Sequence, residues 1–369
     1  MSSPSLKVLF LVPQLGQGGA ERVTASLCDY FVERGADISI LMTHGDERSY
    51  PVDERVHVFS LGARKGRLIG FFKRLVGIQA YFVKYRPDIV VSLECCFRQL
   101  YYLRAWKGRT VVVSERNYPP MKYKTSGMKM TRELFEHAHG AVFQTEEAAD
   151  CFSERVQSKS VIIPNAVLGN LPENAGPRDK RVITFCRLVP QKNLNLLLDA
   201  FSIFHKGIGK DYRLEVYGDG PGAPALLERA ERLGITEAFS LLPFSAEIHS
   251  KVEGAAMFVS SSDFEGLQNS LIESMAMGVP CIATDCLGGG GRSVTDEGRR
   301  GLLVQRGDVD ALALAMSRVI SEPGLADYLG ARGREIKKLW SKSAICERWY
   351  DYVTGLRLES VADIGGYEL

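Results

Sequence analysis

Short apolar runs, each the length of one strand, recur along this chain and alternate with longer amphipathic stretches. They fall at residues 7–12, 38–43, 56–61, 88–92, 110–114, 140–144 and 160–164, and again at 182–187, 212–217, 239–242, 257–260 and 279–284. Continuous apolarity marks strands that are covered on both faces. A helix between successive strands carries the chain back over the sheet. The expected fold class is therefore α/β, with parallel sheets wrapped by helices. The alternation is interrupted at 165–180, a stretch rich in Pro, Gly and Asn that reads as a linker. A chain of 369 residues has room for two domains. We expect two Rossmann-like domains, an N-terminal one over 1–165 and a C-terminal one over 166–344. Trp340, Trp349, Tyr350 and Tyr352 mark an aromatic end segment. A final helix over about 345–369 is expected to pack back on the first domain.

An apolar content of 45% with 24% charged residues is that of a globular protein with a sizeable core. No run of about 18 apolar residues exists to span a bilayer, and residues 8–12 read as a first strand, not a signal peptide. The eight cysteines contain no Cys-x-x-Cys: Cys95 and Cys96 are adjacent, while Cys186 and Cys281 sit in apolar runs. Free thiols in a cytoplasmic, reducing setting are expected. His137 and His139 are two apart, which points them away from each other on a helix, so no zinc pair is expected there.

Net charge is +2, but residues 1–165 balance to +6 and the remainder to −4, so the N-terminal half is the basic half. Residues 63–85 hold Arg64, Lys65, Arg67, Lys73, Arg74 and Lys84 with no acid, interleaved with Leu68, Ile69, Phe71, Phe72, Leu75, Val76 and Ile78. Such a helix can lie on an anionic bilayer, and we expect a peripheral membrane contact through 64–86. A solvated surface helix is the competing reading. Residues 98–132 are also basic, with Glu115 the sole acid. No nucleic-acid motif accompanies either stretch, so nucleic acid is not an expected partner.

Three places carry candidate chemistry. Gly16, Gly18 and Gly19 follow the first strand, with Arg22 where a dinucleotide fingerprint would have its third glycine. A nicotinamide-type site is disfavoured. An anion approached by exposed backbone N–H groups and a simple chain reversal both fit. Arg187 and Lys192 follow the strand at 182–187, the edge where open α/β sheets hold ligands. A guanidinium fork and an ammonium there suit a diphosphate. Glu265 and Glu273 stand eight positions apart, the first in a loop and the second about a turn into a helix that begins near Asn269. Two separated carboxylates can accept hydrogen bonds from a polyhydroxylated ligand. Spacing alone favours two ordinary surface glutamates.

The pieces GQGGAER (Gly16–Arg22), SERN (Ser114–Asn117), Arg187 with Lys192, YGDGP (Tyr217–Pro221), Glu265 with Glu273, and TDCLGGGGR (Thr284–Arg292) occur in this order over nearly the whole chain. Together they resemble glycosyltransferase family 4, retaining nucleotide-sugar enzymes of the GT-B fold, in which two Rossmann-like domains face each other across a cleft. The last piece resembles a segment of bacterial polysaccharide and lipid-linked-oligosaccharide enzymes. The resemblance implies that Arg187 and Lys192 bind the donor's diphosphate. It implies that Glu273 holds ribose hydroxyls and that Glu265 holds donor-sugar hydroxyls. Gly266, Leu267, Gln268, Asn269, Ser270, Leu271, Gly218 and Phe244 would complete the donor site. Gly16, Gly18, Gly19, Arg22 and Glu115 would form an acceptor or diphosphate loop.

Arg116 stands where many relatives have a histidine, and Arg116 or Glu115 is expected to take over a contact to the sugar's hydroxyl. Gln268 and Gly291 replace frequent prolines and are expected to loosen the donor loop. Asp308-Val-Asp310 has a metal-binding form, but the helix-cap reading is the better one, and neither metal nor other cofactor is expected. The implied activity is transfer of a hexose or N-acetylhexosamine from a UDP-sugar to a saccharide acceptor, lipid-linked through a polyprenyl diphosphate, at the cytosolic membrane face. An epimerase or phosphorylase of the same fold, or a non-catalytic assembly partner, are the alternatives.

Overall fold

The computed structural model describes residues 5–16, 18–62, 67–93, 97–122, 126–174 and 176–365. Arg64 and Lys65 of the basic stretch, and Cys95 and Cys96, lie outside the described residues. The chain divides into two compact units, Met1–Ala166 with Lys342–Leu369, and Val167–Ser341.

The first unit is built on seven parallel strands: β1 (Lys7–Val12), β2 (Asp37–Met42), β3 (His57–Ser60), β4 (Ile89–Leu93), β5 (Thr110–Ser114), β6 (Gly140–Phe143) and β7 (Ser160–Ile162). Their spatial order is β3-β2-β1-β4-β5-β6-β7, which reverses direction between β1 and β4. β4 and β5 are buried at every position, as continuous apolar runs require of strands covered on both sides. The helix Gly19–Glu33 covers β1 and β2 through Leu27, Cys28 and Phe31.

The helix Lys342–Gly365 also belongs to this unit. Trp349 is fully buried, and the Tyr350 ring meets Phe31 edge-on at 5.0 Å. The Tyr352 hydroxyl accepts from the Ala141 N–H at 2.9 Å and donates to the Lys159 carbonyl, so it straddles the edge between β6 and β7. Gly140 makes room for it, since a Cβ there would lie 2.4 Å from the Tyr352 hydroxyl.

The second unit holds β8 (Arg181–Phe185), β9 (Arg213–Tyr217), β10 (Phe239–Leu242), β11 (Met257–Ser260), β12 (Cys281–Asp285) and β13 (Leu302–Gln305). They are parallel, in the order β10-β9-β8-β11-β12-β13, and the order reverses between β8 and β11. The sequence signal contained no counterpart to β13. This short edge strand is only partly buried and lacks a sustained apolar run. Helices Leu194–Lys206 and Val309–Ser321 pack together on one face, with Leu197, Phe201, Leu312 and Met316 in the core. The helix Asn269–Met277 covers the other face and is buried almost throughout.

Candidate functional site

The strand order of the second unit reverses at β8 and β11. Ligands of open α/β sheets bind beyond the carboxyl ends of such a strand pair. β8 ends at Phe185 and runs into Cys186, Arg187 and Leu188, then a single 3-10 turn, Pro190–Lys192. Asn193 takes a left-handed φ of 42°, and its side chain caps the helix Leu194–Lys206. β11 ends at Ser260 and runs into the loop that carries Glu265, then the helix Asn269–Met277.

These two strand ends are laced together. The Lys192 ammonium pairs with Glu265 Oε1. The same oxygen accepts from the Ser262 hydroxyl at 2.8 Å, and Oε2 accepts from the Gln191 amide at 3.0 Å. The Gln191 amide also donates to the Phe264 carbonyl, Asn193 Nδ2 to Asp263 Oδ1 at 2.9 Å, and the Ser261 hydroxyl to the Lys192 carbonyl at 2.9 Å. The two charged side chains are only 11% and 9% exposed. Charge removed from water in this way needs such a full set of partners. Arg187 is exposed at the same strand end. The sequence placed Arg187 and Lys192 as a matched cation pair. The structure places Lys192 against a carboxylate and Arg187 in solvent.

Glycines let backbone pack on backbone around this pair. Gly218 has a φ of 149°, and a Cβ there would lie 1.9 Å from the Cys186 carbonyl. At Gly220 a Cβ would be 2.6 Å from the Leu188 carbonyl. The YGDGP turn therefore rests directly on the loop leaving β8, with Cys186 N–H donating to the Tyr217 carbonyl at 3.0 Å. On the far side, a Cβ at Gly290 would stand 1.8 Å from the Gly266 carbonyl, and one at Gly291 would stand 2.2 Å from the Thr284 carbonyl. Glu265 N–H donates to the Leu287 carbonyl at 2.9 Å. The expected loosening at Gly291 is thus not what the structure shows. Only glycine allows this approach, and the run from Cys286 to Gly291 holds the Glu265 loop closely.

Gln268 calls for the same correction. Its side chain is buried, accepts from the Ser260 hydroxyl, and donates to the Ser270 hydroxyl at 2.8 Å. It ties the end of β11 to the first turn of the following helix, which makes it a brace. Leu267, Ser270 and Leu271 are buried with Gly266, and Leu271 packs in the core; Asn269 is the half-exposed residue of this group. Phe244 is exposed, with its N–H 3.4 Å from an Asp219 carboxylate oxygen.

Glu273 has a partner that sequence reasoning did not find. Its Oε2 lies 3.0 Å from His249 Nε2, the side chains being 7% and 23% exposed. The Phe185 ring meets the imidazole edge-on at 6.3 Å. His249 lies on the short helix Ile248–Val252, and no spacing rule ties it to a residue on another helix. Two thiols also stand near the Lys192–Glu265 pair. Burial pushes Cys186 up to about 11, against a smaller opposing pull from Lys192. Burial likewise pushes Cys286 up to about 11. Neither is a thiolate near neutral pH, so neither is an activated nucleophile.

The candidates of the first unit are placed as follows. Gly18 precedes the helix Gly19–Glu33, Gly16 accepts the Gly18 N–H at 2.9 Å, and Arg22 lies in the first turn, its N–H bonded to the Gly18 carbonyl. Glu21 folds back over Gly18, where a Cβ would collide with its carboxylate. Glu115, just past β5, is fully buried and accepts from the Arg116 and Asn117 N–H groups at 3.0 and 3.1 Å. Arg116 is turned inward: its guanidinium donates to Asn165 Oδ1, which also accepts from the Gln144 amide at 2.8 Å. Within this unit Arg116 therefore knits β5, β6 and the segment after β7. Asp308, in the second unit, accepts from the Ala311 N–H at 2.8 Å and caps the helix Val309–Ser321.

Two family profiles match the chain. One described as Glycosyltransferase Family 4 covers residues 17–167. One described as Glycosyl transferases group 1 covers residues 179–322. A similar protein is the N-acetylgalactosamine-N,N'-diacetylbacillosaminyl-diphospho-undecaprenol 4-alpha-N-acetylgalactosaminyltransferase of Campylobacter jejuni. It is 24% identical over 95% of this chain and 100% of its own length. The structure is similar to sucrose-phosphate synthase from Thermosynechococcus elongatus, with a TM-score of 0.79 at 18% identity over 95% of this chain and 99% of that one. It is also similar to Anabaena HepE in complex with UDP and glucose, with a TM-score of 0.77 at 16% identity over the same shares of the two chains.

Proposed function

Because this chain belongs to glycosyltransferase family 4 and has the GT-B fold, we propose that it is a retaining glycosyltransferase that moves a hexose or N-acetylhexosamine from a UDP-sugar to a saccharide carried on a polyprenyl diphosphate. The observation that carries this reading is the Lys192–Glu265 pair, nearly enclosed at the reversal point of the second sheet, with Glu273 on the helix that follows. Departure of a nucleoside diphosphate builds negative charge on phosphate oxygen. A fixed ammonium beside that oxygen stabilises the charge as it forms. Lys192 takes this role, and Arg187 adds a second cation from the same loop. Glu265, held by Ser262 and Gln191, accepts hydrogen bonds from sugar hydroxyls. Glu273 accepts those of the ribose. In the proposed step the acceptor hydroxyl forms its bond to the sugar on the face from which the diphosphate leaves and passes its proton to the departing phosphate oxygen, so configuration is kept without a protein nucleophile.

The donor reading is supported by the likeness to a chain that binds UDP and glucose. The lipid-linked acceptor is supported by the name of the Campylobacter relative. No helix among the described residues is long and apolar enough to cross a membrane. The helix Arg67–Tyr85 supports a peripheral membrane contact, which we assign to the cytosolic face. Its Leu68, Ile69, Phe72 and Val76 are 58–76% exposed and line a shallow apolar groove with Leu61 and Gly77, beside Lys73. Its other face is buried through Ile78, Tyr81 and Phe82. Apolar side chains flanked by cations suit the boundary of an anionic bilayer.

Transfer or donor hydrolysis by Glu265→Ala and Lys192→Ala tests the site; unchanged activity in both variants refutes it. A chelator is expected to leave transfer unaffected. Flotation with anionic liposomes tests the membrane contact, and the protein remaining unbound would remove it.

A further inference from the structure

We propose that His249 is a positioning residue that orients the Glu273 carboxylate for the ribose diol of the nucleotide; this rests on the reading of the site given above. Glu273 stands on a helix whose neighbouring residues Leu271, Ile272 and Met275 belong to the apolar core. A carboxylate 7% exposed in such surroundings carries a desolvation cost. His249 Nε2, 3.0 Å from Oε2, offsets part of that cost and fixes the position of this oxygen. Phe185, edge-on to the imidazole, restrains the ring in turn. With Oε2 anchored, the direction of Oε1 is set before a ligand arrives. A vicinal diol that needs two acceptor lone pairs then meets a carboxylate that does not have to reorganise.

His249 is thus expected to act on ribose recognition and not on the reacting sugar. Its loss should appear in the donor KM and leave kcat nearly unchanged.

The test is a calorimetric cycle. UDP, GDP and ADP are titrated into the full chain, and the tightest binder is compared with its 2′,3′-dideoxy form. The same pair is measured on His249→Met, which keeps volume without a donor, and on His249→Gln, which keeps an N–H donor. The expected result is a loss of about tenfold in nucleotide affinity for His249→Met, no change for the dideoxy form, and recovery of most of the loss by His249→Gln. Donor KM should rise by a similar factor. Equal losses for both nucleotides, or none, overturn the proposal while leaving the nucleotide site standing. A wild-type protein that binds its nucleotide and the dideoxy form equally also overturns it. A wild-type protein that binds none of the three nucleotides overturns the site reading and this proposal together.

Discussion

Truncating Lys192 to alanine should destabilise the second unit, and removing the Glu265 charge as well should restore it. The variant leaves a carboxylate 9% exposed without its cation. Removing one partner of a buried ion pair costs about 3–5 kcal/mol. Here the carboxylate keeps the Ser262 hydroxyl at 2.8 Å and the Gln191 amide at 3.0 Å, bonds of the charge-assisted kind. The expected loss is therefore about 2–3 kcal/mol, or roughly 4–12 °C for a unit of this size. In Lys192→Ala/Glu265→Gln the neutral amide no longer needs a cation, and stability should return to within about 1 kcal/mol of wild type. Scanning calorimetry on the full chain reads the transition that shifts upward with added nucleoside diphosphate. Transfer is measured in parallel and should stay abolished in both variants, because stability returns and the cation does not. A Lys192→Ala loss under about 0.5 kcal/mol, the size of a surface pair, would refute the enclosure of the pair as the governing fact. So would a double variant no more stable than the single one.

Asp308→Ala should cost about 1 kcal/mol by removing the cap on the Ala311 N–H, measured by thermal shift, with no change in transfer with or without chelator. Tyr352→Phe should cost about 0.5–1.5 kcal/mol, because the Ala141 N–H keeps only its longer bond, 3.3 Å to the Lys159 carbonyl; faster proteolysis within 342–365 is the readout. The thiols predict a pH dependence. Folded Cys186 and Cys286 hold their protons to about 11, whereas unfolded thiols release theirs near 8.5. Their contribution is complete below about pH 8.5 and is lost as pH rises toward 11. The denaturant midpoint should fall over that interval, and less steeply in Cys186→Ala/Cys286→Ala.

The inner parallel strands, such as β4 and β5, were legible because they are covered on both faces, and covered strands must be apolar at successive positions. β13, an edge strand of four residues, was not, although the partly exposed edge strands β3, β7 and β10 were. Gly218 and Gly220 of YGDGP, and Gly290 and Gly291, were visible as glycines. Their cause, a neighbouring carbonyl within 1.8–2.6 Å of a would-be Cβ, was not. Gln268 was misread for the same reason. A glutamine in place of a proline looks permissive until Ser260 and Ser270 are found on either side of it.

By itself the sequence determined the α/β alternation, the strand ends that carry charge, and the residue types at those ends. Periodicity and burial are local demands on composition, so they are written where they act. The tertiary structure decided which charges meet. Lys192 and Glu265 are 73 residues apart, and His249 and Glu273 are 24 apart on different helices. Such pairs form only because the sheet order brings β8 beside β11 and the helices that follow are packed on that sheet. It also decided that the Arg116 guanidinium bonds Asn165 within the first unit, 49 residues away. A side chain's direction depends on what fills the space around it, and no single position in the sequence records that.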